Sequence, residues 1–201
     1  MYLRPAFNET DLGRIAAMIE QNSFGTLVTH GPNGLLATHV PFLVKRAGEK
    51  LVLTAHLGAP NPQCALLDGG DAMAIFTGPH AYISPLWYRT QPAVPTWDYV
   101  AVHIHGKLEA VTEPDEISDI LRALAVHDPE KFDLDTLPDK FRASMIAGIR
   151  AFRLPAEGIE AQWKMSQNRS PADRVAVAAA LRAQGDRAVA ELIEATLPPA
   201  S

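Results

Sequence analysis

His103 and His105 are separated by one residue, Ile104. On an extended strand this spacing puts both imidazoles on one side, roughly 6 to 7 Å apart by strand rise, close enough to chelate a metal ion. Glu109, four residues on, extends the run to the His-x-His-x-x-x-Glu part of a cupin-like metal motif. The match stops there: Trp97 stands where that motif has its leading glycine, and His127, the only later histidine, falls in an expected helical segment. Short motifs of this kind arise readily by chance. The two histidines are therefore read as hydrogen-bonding groups of a polar pocket, with no metal assigned. Cys64, the single cysteine, lies beside Ala65, Leu66 and Leu67 and reads as a buried structural residue rather than a nucleophile. There is no G-x-G-x-x-G, G-x-x-x-x-G-K-[ST] or G-x-S-x-G, so a Rossmann dinucleotide site, a P-loop and a nucleophile elbow lack their sequence carriers.

Polar and aromatic groups cluster instead inside apolar or loop segments: Thr38-His39-Val40-Pro41-Phe42, His56 with Asn61-Pro62, the run 78–88 with its Trp87-Tyr88, Pro95-Thr96-Trp97-Asp98-Tyr99, and Lys164-Met165-Ser166-Gln167-Asn168-Arg169. Each alone suits a core histidine, a barrel cover or a turn. Together they supply rings for stacking, amides and hydroxyls for a polar edge, and a cation for phosphate, which is what a flat, phosphorylated ligand needs.

The elements that must hold these groups are mostly strands. Leu12, Ile15, Ala16 and Ile19 recur at helical spacing after the cap candidates Asn8 and Thr10, predicting a helix over 9–21. Segments 25–30 and 35–44 flank Gly31-Pro32-Asn33-Gly34, and 35–44 and 50–56 flank Arg46-Ala47-Gly48-Glu49, predicting a three-strand antiparallel meander. Asn61-Pro62 starts a short helix. A strand over 72–77 follows, then an irregular loop over 78–96 carrying Pro79, Pro85, Pro92 and Pro95, with 81–84 as a possible edge strand. Residues 97–111 alternate as a long strand, with Val100, Val102 and Ile104 on one face and Ala101, His103 and His105 on the other. Thr112 and Asp115 pair as a cap for a helix over 113–126. A helix over 138–147, strands over 149–154 and 159–164, and helices from Ser170-Pro171 to about 196 complete the chain. This is a mainly β chain with helical additions (α+β), a small antiparallel barrel forming one domain over 1–201, with a helical insertion at about 113–147 and C-terminal helices at about 171–196.

Composition narrows the function classes. The 201 residues are 47% hydrophobic and 20% charged, with a net charge of -5, which speaks against coating nucleic acid by bulk positive charge. Residues 109–139 hold ten acids and two bases, while 140–187 hold nine bases and four acids, so an acidic arm precedes a basic third. A lone cysteine and the absence of an export signal point to a reducing cytoplasm, and the long uncharged stretches are broken by prolines and histidines, so no membrane helix is expected. The C-terminal helices could be drawn as a helix-turn-helix, but Glu191 and Glu194 would then face phosphates. A packing pair is the better reading.

The chain resembles the PaiB-like family, described as FMN-binding negative transcriptional regulators. The resemblance runs from Met1-Tyr2 and Pro5 through His39-Val40-Pro41-Phe42, His56, Asn61-Pro62-Gln63, 78–88 and 94–99 to Lys164 through Arg169. It implies an FMN-binding split β-barrel, a homodimer with flavin sites at the subunit interface, and transcription regulation. The candidate cofactor-binding residues are His39, Thr54, His56, Asn61, Trp87, Tyr88, His103, Lys164, Ser166, Gln167 and Asn168; the charge of Lys164 and the donors of Ser166 and Asn168 suit a phosphate, and Trp87, Tyr88 and Trp97 are expected to be covered by a second subunit. The chain departs from the family pattern at Ala59, where a basic residue is usual, at Pro60, where alanine is common, and at Asp98, where asparagine is usual. If those positions face a phosphate, the changes weaken its attraction. A flavin-dependent oxidoreductase using the same pocket and a metal enzyme built on His103 and His105 are the competing functions.

Overall fold

The computed structural model describes residues 1–125, 128, 130 and 132–199; His127 and the end of the helix expected to 126 lie outside the described residues. Eight strands form one antiparallel sheet: β1 (Phe24–Gly31), β2 (Gly34–Pro41), β3 (Leu43–Ala47), β4 (Lys50–Gly58), β5 (Asp68–Ile83), β6 (Thr96–Val111), β7 (Ile149–Pro155) and β8 (Gly158–Lys164). Their order is β2-β1-β5-β6-β7-β4-β3, with β8 pairing β6 off this path. The α-helices among the described residues are α1 (Leu12–Gln21), α2 (Pro114–Leu124), α3 (Asp139–Ala147), α4 (Pro171–Gln184) and α5 (Arg187–Glu194). The chain divides into two compact units. A barrel unit comprises 11–76 and 103–159, and a second unit comprises 1–10, 77–102 and 160–201, so β5 and β6 each contribute to both.

In the barrel unit, the expected three-strand meander is corrected. Residues 35–44 form two strands, because Phe42 interrupts the ladder between β2 and β3, which then lie at opposite ends of the sheet path. One residue thus joins the two ends of the sheet path. Phe42 is 1% exposed and packs edge-on to Phe76 at 5.2 Å and Phe152 at 6.2 Å. Both hairpins turn on glycines at positive φ, Gly34 and Gly48. Gly106 is required for a different reason: a Cβ there would sit 2.1 Å from the Pro155 carbonyl oxygen on the neighbouring chain segment. α1 starts at Leu12 rather than residue 9, since Asp11, not Asn8 or Thr10, accepts from the Gly13 and Arg14 amides at 2.7 and 3.0 Å. α2 is likewise capped at Glu113, with no side-chain bond, rather than by Thr112 and Asp115. Ile117 and Ile120 of α2 bury against Val111 and Ala151, with Ile146 of α3 alongside.

The second unit corrects the expected loop at 78–96. β5 continues through Gly78-Pro79-His80 to Ile83. The β1 register ends at Thr26↔Ile75, so beyond it one edge of β5 is free of that partner, the position where a proline's missing N–H is tolerated. α4 and α5 pack as a hairpin around Val177, Ala178, Leu181, Val189, Ala190 and Ile193, turning at Gly185 with φ 93°. Arg182 forks onto Glu194 at 3.0 and 2.7 Å.

Candidate functional site

The residues singled out in the sequence fall into two sets, and each set is organised within its own unit. In the barrel unit, Asn61 does two things. Its Oδ1 accepts from the Gln63 amide at 2.9 Å, starting the 3₁₀ turn Pro62–Leu66, and its Nδ2 donates to Thr38 Oγ1 at 2.9 Å. Gln63 is fully buried and its Nε2 donates to Thr29 Oγ1 at 2.9 Å, which pins the turn to β1. The turn therefore fixes the stretch of β2 that carries His39. That imidazole is exposed and stacks on Phe24, with centroids 6.1 Å apart and planes at 28°. Thr54 and His56 are both half-buried and lie on the same side of β4 by the two-residue period of a strand. Thr54 is opposite Leu43 on one side and Arg153 on the other; Arg153 is ion-paired with Glu116.

Gln63 Oε1 is buried without a partner among the described residues, and so is His56 Nδ1. Burial holds the His56 pKa below the ordinary 6.5. A buried polar atom without a partner carries a free-energy cost that a ligand can recover. Ala59 supplies no cation here, and its amide donates to the Gly148 carbonyl at 2.8 Å. Cys64, expected to be buried, is only half-buried; its thiol donates to the Gly58 carbonyl at 3.4 Å, and burial raises its pKa against the opposing pull of Arg150.

His103 and His105 stand side by side on β6 with centroids 6.5 Å apart, as the strand spacing requires. Glu109 is four residues along the same strand, roughly 13 Å by strand rise, so the three residues of the cupin-like run do not converge.

In the second unit, Asp98 organises the polar residues. It occupies an inward position of β6, in the row that continues with Val100 and Val102, and is fully buried. Ser166 Oγ donates to its Oδ2 at 2.6 Å, and the Lys164 ammonium lies 3.3 Å from its Oδ1. The other two Lys164 donors go to Thr96 Oγ1 at 2.7 Å and the Trp97 carbonyl. Burial raises the Asp98 pKa, while Ser166 and Lys164 lower it. Ser166 has φ 56°, in the left-handed region where a non-glycine residue is strained. Its bond to Asp98 and the Gln167 side chain hold it there: Gln167 Oε1 accepts from the Met165 amide at 2.7 Å and Nε2 donates to the Trp163 carbonyl at 2.5 Å. Asn168 is exposed on the same turn and Trp87 is half-buried. Tyr88, expected to need a second subunit for cover, is 4% exposed within the chain itself, with the Arg169 guanidinium 4.3 Å over its ring. The Asp98 charge therefore faces Lys164 rather than an open phosphate site.

Sequence reasoning noted Asp98 only as a departure from the family pattern. The signal for its role was its register, two residues before Val100 on a strand whose inward row is otherwise apolar.

A family model described as "Putative FMN-binding domain" matches residues 1–158. A relative from Bacillus subtilis (strain 168), the protease synthase and sporulation protein PAI 2, is 34% identical over 202 residues, spanning 96% of this chain and 97% of its own. Among solved structures, a conserved hypothetical protein from Mycobacterium tuberculosis aligns with a TM-score of 0.62 at 14% identity, covering 85% of this chain and 94% of the other. The flavocytochrome Anf3 from Azotobacter vinelandii aligns with a TM-score of 0.62 at 11% identity, covering 81% and 72%. At such identities the structural likeness establishes the antiparallel split-barrel fold. No described helix is long and apolar enough to cross a membrane.

Proposed function

From the premise that the chain belongs to the PaiB-like family of FMN-binding-domain proteins, we propose that it binds FMN in the barrel unit through His39, Thr54, His56 and Asn61. The observation that supports this most is the buried, partnerless Nδ1 of His56. A flavin ring presents both donors and acceptors along one edge, so an imidazole of either tautomer finds a partner there. Thr54 adds a hydroxyl on the same side of β4, and Asn61, held by Thr38, fixes the turn beside it. These residues suit the ring's polar edge. Bound FMN would supply redox chemistry, while the protein's own residues bind and orient it. Lys164, Ser166 and Gln167 are not included, because their donors are taken within the second unit.

The regulatory role carried by the family resemblance would then depend on flavin occupancy or a protein partner rather than on direct reading of DNA. Arg182 is engaged by Glu194, and Arg174, 8% exposed, donates to Thr196, so α4 and α5 lack a free basic face at those positions. A second copy would cover the apolar side chains left open on the second unit, Tyr82, Leu86 (87% exposed) and Val94.

Flavin fluorescence followed during FMN titration tests the reading: saturable quenching with micromolar affinity is expected, and no quenching up to about 1 mM protein would refute it.

A further inference from the structure

A cavity of about 370 Å³ lies wholly within the second unit, between the N-terminal segment and β6 and β8. The segment is held in place by its own chemistry. Phe7 is 3% exposed, Asn8 bridges to Gln162 in antiparallel register, and the Glu9 amide donates to the Ala161 carbonyl at 3.0 Å. The cavity wall carries aromatic rings and two polar groups that the protein does not satisfy.

The first is Gln162. The residue is 3% exposed, its Nε2 donates to the Tyr99 hydroxyl, and its Oε1 is buried without a partner among the described residues. Turning the amide over would only exchange the orphan, because Tyr99 can accept or donate but can engage one end alone. Half of a buried amide is left unsatisfied either way, and a hydroxyl from a ligand could meet either half. The second is Arg4, whose guanidinium has no partner among the described residues and offers a planar fork matched to a carboxylate. Lys164 also lines the cavity, but its donors are taken and Asp98 balances its charge. The Met1 ammonium also lines the cavity and is ion-paired with Glu160, so the charge left over is that of Arg4, which selects a monoanion. Tyr2 (79% exposed) and Trp97 (54% exposed) offer ring faces to a flat body, and Trp97 is braced edge-on by Tyr82 at 5.9 Å.

We propose that this cavity is a binding site for a small aromatic carboxylate carrying a hydroxyl group, with Arg4 taking the carboxylate, Gln162 the hydroxyl, and Tyr2 and Trp97 the ring. The volume lies within the usual range of ligand pockets, about 300 to 1,000 Å³. The site goes beyond the flavin reading and stands or falls separately, since none of its residues is assigned to FMN.

The test uses the full chain and 4-hydroxybenzoate as the probe, followed by the Trp97 indole N–H resonance and by calorimetry. Saturable binding with a Kd below about 1 mM and a shift of the Trp97 resonance is expected. Arg4→Met should weaken binding by about tenfold or more, as for a lost charge-assisted hydrogen bond. 4-Hydroxybenzamide, which lacks the charge, should bind more weakly by a similar factor, and benzoate, which lacks the hydroxyl, by a smaller one. Gln162→Met, checked for native fold by its dispersed amide spectrum, should abolish the preference for 4-hydroxybenzoate over benzoate. Absence of saturation, equal binding of acid and amide, or unchanged binding by Arg4→Met would each overturn the assignment. So would a preference for the hydroxyl that survives Gln162→Met.

Discussion

The Asp98 network of the second unit and the His56 imidazole of the barrel unit end in opposite states. In the first, Ser166 and Lys164 meet the Asp98 carboxylate, Gln167 braces the turn through the Met165 amide and the Trp163 carbonyl, and Lys164 has all three donors engaged. In the second, half-buried His56 keeps a buried Nδ1 that no described residue meets. Residue type alone would assign both sets to ligand binding. What separates them is whether hydrogen-bonding capacity remains open after folding: a closed network stabilises, whereas an open one is available to a ligand.

If that contrast holds, disturbing the closed network should act first on stability. Lys164→Met strands a fully buried carboxylate, and breaking a buried pair in this way typically costs about 3 to 5 kcal/mol; thermal unfolding at neutral pH should show a large fall in Tm. The loss should shrink in acid, because burial already raises the Asp98 pKa and the stranded carboxyl then takes up a proton. Adding Asp98→Asn should recover most of the loss. A single variant as stable as the parent would show that the network is not closed.

The barrel unit should respond in ligand affinity instead. Ala59→Arg adds a cation beside Pro60 and Asn61, and a charge-assisted hydrogen bond contributes roughly 1.5 to 3 kcal/mol, so FMN should bind about tenfold to a hundredfold more tightly. Riboflavin, which lacks the phosphate, separates a specific contact from a general gain, and equal improvement for both would place the phosphate elsewhere. His56→Ala should weaken FMN by about two- to tenfold, the range of a neutral hydrogen bond. Its Tm should barely move, since no intramolecular bond at Nδ1 is lost.

The smallest effect distinguishes the units by the sign of their pH response. The folded-state pKa of His56 lies below 6.5, so between those values the unfolded chain holds more protons and stability falls as the pH drops through that window. Asp98 has a folded pKa above 3.8, so between 3.8 and that value the folded chain holds more protons and stability rises as the pH drops. Denaturation curves for His56→Asn and Asp98→Asn should each lose the corresponding slope, and slopes of the same sign would contradict the assignment.

Much of the barrel was legible because alternation in 97–111 and the glycine turns at Gly34 and Gly48 are local signals. The placement of β2 and β3 at opposite ends of the sheet was not, since only the packing of Phe42 against Phe76 and Phe152 reveals the break. Pro79 argued for a loop because a proline is unfavourable in a paired strand, and the sequence does not show where the β1 partner stops. At the candidate site, Asn61-Pro62 announced its turn directly. The commitment of Lys164 to Asp98 joins residues 66 positions apart, a pairing that no spacing rule reaches.

If flavin binds at the open polar set of the barrel unit, its affinity should follow His56 and not the Asp98 network. FMN titration followed by flavin fluorescence, run on the unaltered chain, on His56→Ala and on the Lys164→Met/Asp98→Asn pair, tests it most directly. The double variant, once shown to be folded, should keep its FMN affinity within about twofold, while His56→Ala should weaken it. Loss of FMN binding in the folded double variant with full affinity in His56→Ala would contradict it.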